Sequence, residues 1–326
     1  MVNKLLSQIV SVEIYTPKLA ESLWFFKEIL GLYEVGRKGN SVYLRAWNDI
    51  LIPYSIKLTE ANLNGIGEIT IRTMSEADLR EAVNIIERQG IRGIWLEEDF
   101  GIGRGYVFES PSGHTFRVFW DMKKYIAPDQ FKSPLKVRPM KISNKGIGVA
   151  SFDHVALQGS NERVNRSFFE SLSFKSHELV YNDQIEIGAF ISITGKAHDI
   201  VFFQDMQNIE GRLNHVALNI EHTADIFTAA DMYKDYGLEI VSGPLRHGIT
   251  QGYGLYVKEP GGNVIEVHTG QYYNYLPDWE PVIWDVKKDF WGVGANYYGL
   301  ITEYLMKGTP EPGLQPIKPL SLKSKK

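Results

Sequence analysis

Ser151-Phe-Asp-His-Val-Ala-Leu157 has the composition of a β-strand, and a run with helical spacing follows it as far as Phe168-Phe-Glu-Ser-Leu172. The first half of the chain has the same layout, because Val10-Ser-Val-Glu-Ile14 is followed by Phe25-Phe-Lys-Glu-Ile-Leu30. In both copies the Phe-Phe pair begins 14 residues after an equivalent position of the strand. A strand and a helix repeated at one spacing indicate internal duplication.

A second pair of segments repeats in the same way. Glu68-Ile-Thr-Ile-Arg72 and His215-Val-Ala-Leu-Asn219 each precede a helical run. The helical runs lead to related strands with hairpin-turn residues, Tyr106-Val-Phe-Glu-Ser-Pro-Ser-Gly113 and Leu255-Tyr-Val-Lys-Glu-Pro-Gly-Gly262. The sequence therefore predicts an α+β fold of four βαβββ modules, near residues 7–55, 63–121, 150–205 and 211–270.

The composition excludes several classes of protein. Of 326 residues, 44% are hydrophobic and 23% are charged, which suits packed cores. With 35 basic and 39 acidic residues the net charge is -4, so the basic face typical of nucleic-acid-binding proteins is missing. No apolar stretch reaches the roughly 18–20 residues of a membrane span, and the N-terminus is predicted to be a first strand, not a signal peptide. The chain has no cysteine, which excludes disulfides and thiolate chemistry, and the expected setting is cytoplasmic.

Three segments lie outside the repeats. Residues 123–148 are rich in proline and lysine and predict a solvated linker, although a basic run could also bind an acidic partner. From Gln271 onward the chain is unusually aromatic. This favours a helix and loop that pack on the last sheet through their large rings. The same segment could also cover an apolar pocket. The tail, residues 308–326, is predicted to be poorly ordered or to lie on a neighbour.

Histidine is concentrated in the second half of the chain. Seven of the eight histidines lie there, and two of them, His154 and His215, occupy equivalent strand positions of the third and fourth modules. The first half has Ser11 and Glu68 at those positions. A duplicated fold with histidine in one copy indicates that this copy kept a site.

A carboxylate completes the set. Glu266 lies between two apolar residues of the last strand, where the first half has Arg117. Alternation would point Glu266 away from those neighbours and into a concave face. Two histidines and one carboxylate are the facial triad of non-haem Fe(II) oxygenases, although Mn(II), Zn(II) and Ni(II) also accept nitrogen and oxygen ligands.

The longest motif runs from His247 through Leu255-Tyr256 and an acid-Pro-Gly turn to Glu266. It resembles the signature of type I extradiol ring-cleaving dioxygenases of the vicinal oxygen chelate superfamily, closest to the catechol 2,3-dioxygenases. Four further segments resemble motifs of that family: Phe152-Asp-His-Val-Ala-Leu157, Ala197-His-Asp-Ile200, Asn214-His-Val-Ala-Leu218 and Gln271-Tyr-Tyr-Asn-Tyr-Leu-Pro-Asp278.

The resemblance implies a reaction and its partners. It implies extradiol (meta) cleavage of catechol or a small substituted catechol by O2 to a 2-hydroxymuconate semialdehyde-type product, in the degradation of aromatic compounds. The cofactor would be Fe(II), with Mn(II) as the alternative, held by His154, His215 and Glu266. The expected assembly is a homo-oligomer, most simply a homotetramer, without nucleic-acid or membrane partners.

The resemblance also assigns roles around the metal. His198 corresponds to the family's acid/base near the oxygen site, and His247 and Tyr256 to residues that hydrogen-bond the substrate oxygens. Phe190 falls where the family lines its pocket with an aromatic ring. The remaining histidines of this half match no functional position and are predicted to be surface or packing residues: His177, His222 and His268.

The domain prediction follows from the repeats and the triad. Each pair of modules is expected to form an incomplete barrel, the first without catalytic function and the second with the metal. The predicted bounds are 1–121 for the N-terminal domain, 122–148 for the linker, 149–307 for the catalytic domain with its aromatic helical segment, and 308–326 for the tail. The alternative functions are a metal-free, drug-sequestering member of the superfamily, and a glyoxalase-like isomerase or lyase, which typically uses more glutamate ligands.

Overall fold

In the computed structural model the chain forms four consecutive βαβββ modules, as the repeats predict. The structure describes residues 4–289, 295–296, 299–300 and 307–319. The first module consists of β1 (Leu6–Thr16), α1 (Leu19–Trp24) with a π-helical turn (Phe25–Ile29), β2 (Tyr33–Lys38), β3 (Ser41–Arg45) and β4 (Ile56–Glu60). The second consists of β5 (Gly65–Thr73), α2 (Glu76–Arg88), β6 (Ile94–Leu96), β7 (Gly105–Glu109) and β8 (Thr115–Phe119).

The third and fourth modules repeat this order. The third consists of β9 (Ser151–Gly159), α3 (Glu162–Ser171), β10 (Lys175–Asn182), β11 (Ile185–Ser192) and β12 (Ile200–Gln204). The fourth consists of β13 (Arg212–Asn219), α4 (Asp225–Asp235), β14 (Glu239–Arg246), β15 (Tyr253–Lys258) and β16 (Val264–Thr269). Three short strands follow: β17 (Val282–Asp285), β18 (Ala295–Asn296) and β19 (Gly299–Leu300).

Each half of the chain builds one large open sheet, and β18 and β19 form a separate two-stranded sheet. The first has the strand order β2-β3-β4-β1-β5-β8-β7-β6, and the second has β14-β15-β16-β13-β9-β12-β11-β10-β17. In both sheets the first strands of two successive modules pair antiparallel at the centre, β1 with β5 and β9 with β13. The sheets are not closed barrels, which agrees with the expected incomplete barrels.

The repeated Phe-Phe pairs form the core between helix and sheet. Phe25, Phe26, Phe168 and Phe169 are at most 2% exposed, and the rings of each pair meet edge to face. Burying one such ring contributes about 1.5–3 kcal/mol to stability. The repeat spacing is therefore set by the point at which each helix packs on its sheet.

Side-chain caps fix where two helices begin. Ser75 Oγ accepts the Asp78 amide at 3.1 Å at the start of α2, and Asn161 Oδ1 accepts the Val164 amide at 3.2 Å at the start of α3. Such caps stabilise a helix by about 1 kcal/mol. Because α3 directly follows β9, its start fixes where that strand ends.

The turn between β15 and β16 docks onto the N-terminal half. Ser22 Oγ donates to Glu259 Oε2 at 2.6 Å, and Asn263 Nδ2 donates to the carbonyl of Tyr15 at 3.0 Å. A Cβ at Gly261 would collide with a threonine side chain of β1, so only glycine permits this approach. The strand that follows the turn, β16, is thus held at its start by the other half of the chain.

Two segments outside the repeats differ in part from expectation. A helix and loop are expected from Gln271 onward; residues 271–289 contain no helix, β17 extends the second sheet by pairing parallel with β10, and most of residues 290–306 lies outside the described residues. The linker is not wholly solvated, because Ala127 and Met140 are buried in a cluster with Trp47. Both segments gain stability by covering apolar surface of the modules.

None of the helices in the described part of the chain has the length and hydropathy of a membrane-spanning segment.

Candidate metal centre

Three neighbouring strands carry the predicted ligands to one point. His154 lies on β9, His215 on β13 and Glu266 on β16. Ala217 of β13 is the register partner of both His154 and Glu266, and His215 is two residues from Ala217. Cross-strand partners and residues two apart share a face of a sheet. The register therefore directs all three side chains to the same face.

The three donor atoms are close together and buried. The two Nε2 atoms of His154 and His215 lie 3.1 Å apart, and Glu266 Oε2 lies 3.2 Å and 3.3 Å from them. Ligands at right angles around a metal, at bond lengths of about 2.0–2.2 Å, are separated by about 3 Å. Neither carboxylate oxygen of Glu266 has a hydrogen-bond partner with good geometry. The donor set therefore fits a divalent cation with open positions on one side.

Two residues beside the ligands set the orientation of the imidazoles. His154 Nδ1 donates to Asp153 Oδ1 at 2.8 Å, and His215 Nδ1 donates to Asn214 Oδ1 at 2.6 Å. Gln271 Nε2 donates to both oxygens of Asp153 at 3.0 Å. Such partners fix the tautomer so that each Nε2 is free to bind the metal. Sequence reasoning missed them, although both orienting residues directly precede a ligand.

The electrostatics favour the ionised carboxylate. Burial alone would raise the pKa of the Glu266 carboxyl, but the three neighbouring histidines His154, His215 and His247 hold its pKa well below the ordinary value. Burial lowers the pKa of His215 from 6.5 to about 4, which keeps this imidazole neutral. Burial opposes charge on His154 as well, but Asp153 and Glu266 raise its pKa overall.

His198 lies against the ligand His154. Its ring centroid is 4.0 Å from that of His154, the side chain is 3% exposed, and Nδ1 has no hydrogen-bond partner. Burial lowers the pKa of His198 well below its ordinary value. The loop that carries it is held by Asp199, whose carboxylate accepts the amides of Ile193 and Thr194 at 2.9 Å. His198 is therefore a fixed neutral imidazole beside the centre.

His247 and Tyr256 meet on the other side of Glu266. His247 Nε2 and Tyr256 Oη form a hydrogen bond of 2.9 Å, and Tyr256 is the register partner of Glu266. His247 Nε2 lies 3.7 Å from Glu266 Oε1. Burial raises the pKa of the Tyr256 hydroxyl well above its ordinary value, so the hydroxyl remains protonated and can donate.

The loop between β14 and β15 carries His247 and is strained. Thr250 and Gln251 have φ angles of 60° and 62°, in the left-handed region. This conformation costs about 1–2 kcal/mol for each residue other than glycine, and more for a β-branched one. The conformation of the loop must therefore be held by contacts elsewhere.

A cavity of about 480 Å³ opens onto the three ligands. This volume lies within the range of about 300–1,000 Å³ usual for small-molecule sites. His198, His247, Tyr256 and Phe190 also line it. The rest of its wall is mainly apolar and includes Val180, Ile187, Val201, Phe203, Met206, Ile249 and Val286. None of the described residues that line the cavity is a lysine or an arginine.

Comparison with known proteins identifies the family of the chain. Residues 151–267 match the family model of the glyoxalase/bleomycin resistance protein/dioxygenase superfamily. The chain is 34% identical to a metapyrocatechase of Geobacillus stearothermophilus over 317 aligned residues. The aligned region covers 96% of this chain and 96% of the other. The chain belongs to the type I extradiol ring-cleaving dioxygenases of the vicinal oxygen chelate superfamily.

Two further relatives agree with this membership. The extradiol dioxygenase is 34% identical over 279 residues to a manganese-dependent 2,3-dihydroxybiphenyl 1,2-dioxygenase of Geobacillus genomosp. 3, covering 84% of this chain and 88% of the other. The structure of the 2,3-dioxygenase LapB from Pseudomonas sp. KL28 superposes with a TM-score of 0.79 at 26% identity, covering 87% of this chain and 99% of the other. The comparisons favour a dioxygenase over the isomerase, lyase and drug-sequestering alternatives.

The other histidines of the extradiol dioxygenase are not all at its surface. His222 is exposed, but His177 is buried and its Nδ1 donates to the carbonyl of Ala197 at 2.8 Å. His268, predicted to be a surface or packing residue, is 1% exposed and lines the cavity, with its ring 5.2 Å from that of His154. The alternation that directs Glu266 inward also directs the residue two positions later inward.

The N-terminal half of the extradiol dioxygenase has different chemistry at the equivalent point. Arg117 Nε lies 3.5 Å from Glu68 Oε1, and Ser11 Oγ lies 2.7 Å from Thr70 Oγ1. Burial raises the pKa of Glu68 to about 7, although Arg117 opposes this shift. Within the described residues, both groups of side chains with metal-binding geometry lie in the C-terminal half.

We therefore expect one tight metal site per chain. Arg117 would repel a cation at the N-terminal position by about 4 kcal/mol, for 4 Å and an effective dielectric of 20. Metal titration of the intact protein should give a single tight site, and the His154→Ala/His215→Ala variant should have none. A tight site that persists in the double variant would contradict this prediction.

Proposed function

We propose that this extradiol dioxygenase cleaves catechol, or a small uncharged substituted catechol, beside the diol and forms a 2-hydroxymuconate semialdehyde-type product. Both atoms of O2 enter the product, so no external reductant is needed. The observation that carries the proposal is the buried donor set of His154, His215 and Glu266, with spacings of 3.1–3.3 Å, at the wall of a cavity of about 480 Å³. Membership in the extradiol dioxygenases supports it.

The proposed cofactor is a mononuclear Fe(II), with Mn(II) as the alternative. When bound by His154, His215 and Glu266, the metal would supply open positions for both oxygens of the diol and for dioxygen, so that the two reactants meet. Mixed imidazole and carboxylate ligands suit either metal. The manganese dependence named for one relative keeps the alternative open.

His247 and Tyr256 are proposed to bind the substrate oxygens. Their polar atoms lie 2.9 Å apart beside Glu266, and both residues line the cavity. A neutral Tyr256 hydroxyl can donate to an ionised diol oxygen, while His247 can accept a hydrogen bond from the other oxygen, which keeps its proton. This pair would orient the diol and favour its monoanion.

His198 is proposed to transfer protons on the opposite side of the cavity. Its free Nδ1 and its neutral imidazole allow it to accept a proton from the substrate and to return it to the oxygen that leaves. Because the ring packs between His154 and Phe190, at 4.0 Å and 5.4 Å, its position is fixed before substrate binds. Phe190 is proposed to form the aromatic wall beside the substrate ring.

The apolar cavity wall favours substrates whose ring substituents are uncharged. Each methylene placed against such a wall gains about 0.8 kcal/mol, or about fourfold in affinity. A carboxylate there would lose hydration without meeting a lysine or arginine, because neither is found among the described lining residues. Catechol and alkylcatechols should therefore be better substrates than 3,4-dihydroxyphenylacetate.

A substrate panel tests this proposal. Purified protein loaded with Fe(II) or Mn(II), with its metal content measured, is assayed with catechol, 4-methylcatechol, 3-phenylcatechol and 3,4-dihydroxyphenylacetate. The neutral catechols should give yellow ring-fission products and the higher kcat/KM. Met206→Arg, at an exposed position of the cavity rim, should raise kcat/KM for the carboxylated substrate by about fivefold, the value of a weak ion pair.

The matched control is Met206→Gln, which has similar size and no charge and should leave the substrate order unchanged. Absence of turnover with every catechol at full metal occupancy would overturn the proposed reaction. Preference of the unmodified protein for the carboxylated substrate would overturn only the proposed specificity.

The proposal includes a cytoplasmic homotetramer, as expected from the family resemblance. Sedimentation equilibrium of the metal-loaded protein and fractionation of the source cells test these two properties.

A further inference from the structure

A buried glutamate outside the metal centre accepts hydrogen bonds from three separate segments. Glu178 lies on β10 and is 2% exposed. Its Oε1 accepts the Thr250 amide at 2.9 Å and the Tyr272 hydroxyl at 3.1 Å, while Oε2 accepts Trp284 Nε1–H at 2.6 Å. One carboxylate thus joins the loop after β14 to the aromatic segment and to β17.

Glu178 contacts the loop at a strained residue, Thr250. Thr250 has a φ of 60° and Gln251 has a φ of 62°. The Thr250 amide donates to the Glu178 carboxylate, and the Tyr272 amide donates to the Thr250 carbonyl at 3.2 Å. Left-handed backbone at a β-branched residue persists only when its surroundings determine it. Glu178 and the segment it binds supply those surroundings.

The same loop carries part of the site. His247 begins it, with its amide bonded to the Gly252 carbonyl at 2.8 Å, and Ile249 and Thr250 line the cavity. Because the loop is short, a change of backbone at Thr250 is transmitted to His247. Burial raises the pKa of Glu178, while the hydrogen bonds from Trp284, Thr250 and Tyr272 oppose the shift.

We propose that Glu178 is a positioning residue that holds the loop of residues 247–252 in its strained conformation, and through it places His247 against the substrate oxygens. The effect on catalysis rests on the proposed function of His247. The effect on the loop does not, since it can be measured without substrate.

The test compares Glu178→Ala with a matched control, Glu186→Gln, in metal-loaded full-length protein. Glu186 is also buried, on the adjacent strand β11, but it binds Arg166 and not the loop. Hydrogen exchange is followed in the peptide that spans residues 247–252, and kcat and KM for catechol are measured together with metal content. Glu178→Ala should accelerate exchange in this peptide selectively and lower kcat/KM by about 10²-fold, mostly through KM, at unchanged metal content. Glu186→Gln should lower the thermal midpoint without either change.

A second test uses two variants, Glu178→Gln and the double variant Glu178→Gln/Trp284→Phe, and does not depend on the alanine variant. In Glu178→Gln the amide oxygen can still accept from Thr250 and Tyr272, but the amide NH2 meets the indole N–H of Trp284, and two donors oppose each other. Glu178→Gln should therefore be impaired, and Glu178→Gln/Trp284→Phe should recover kcat/KM to within about threefold of the unmodified protein. Unchanged loop exchange in Glu178→Ala, or in Glu178→Gln where the alanine variant does not fold, would overturn the proposal. If no catechol is turned over, the proposed function fails, and the exchange result still decides the role of Glu178.

Discussion

Glu266→Ala should abolish both metal retention and ring cleavage. The substitution removes the single anion from a donor set whose other members are two imidazoles, and two protein ligands rarely retain a labile divalent ion. Metal content after dialysis and oxygen uptake with catechol measure the two losses. His154→Ala and His215→Ala should behave in the same way, because each leaves only two ligands.

The control for this prediction is Glu239→Ala, which removes an exposed glutamate at the start of β14 and should leave metal content and turnover unchanged. Glu266→Gln separates charge from shape, since it keeps the size and one oxygen but loses the negative charge. It should bind metal far more weakly than the unmodified protein. Full metal occupancy in Glu266→Ala would show that the proposed ligand set is wrong.

His198→Asn should slow turnover by about 10²–10⁴-fold, the usual contribution of a general acid or base. Metal content and catechol affinity should change little, because His198 lies beside the ligands and is not one of the three donors that meet at 3.1–3.3 Å. Anaerobic titration with catechol measures binding, and rapid mixing of that complex with O2 measures the later steps.

The matched variant for His198 is His222→Asn, which changes an exposed histidine of the same half and should have no effect. Loss of metal from His198→Asn would identify His198 as a ligand. Unchanged turnover would show that protons are transferred by another group.

The four modules and the three central side chains could be predicted because duplication supplies an internal comparison. A histidine in an Asp-His-Val-Ala-Leu strand is usually a packing residue when considered alone. The aligned copies made Ser11 the counterpart of His154 and Arg117 the counterpart of Glu266, and the strand registers pair these positions in the same way. Periodicity is a local property that a sequence records well, and the alignment of the repeats supplies the equivalence of the paired strands.

The features that could not be predicted depend on contacts between distant segments. The aromatic segment lacks a repeat partner, and residues 282–285 form a strand because the edge of β10 is available for pairing. Glu178 and Gln271 lie 72 and 118 positions from the residues they bind, Thr250 and Asp153, so no local pattern marks them. The position of His268 in the cavity wall was not predicted because its neighbours match no motif, although its spacing from Glu266 predicts the same face.

The docked turn between β15 and β16 has a consequence for how such proteins can evolve. Its carboxylate, Glu259, is 1% exposed and accepts the Ser22 hydroxyl of the first module as well as the amides of its own turn. A catalytic half inherited alone would present this acid and the adjoining Asn263 to water, and β16 would lose the anchor at its start. We therefore expect the folding of the C-terminal half to favour retention of the N-terminal half, so that recombination between homologous genes preserves both halves as one inherited block.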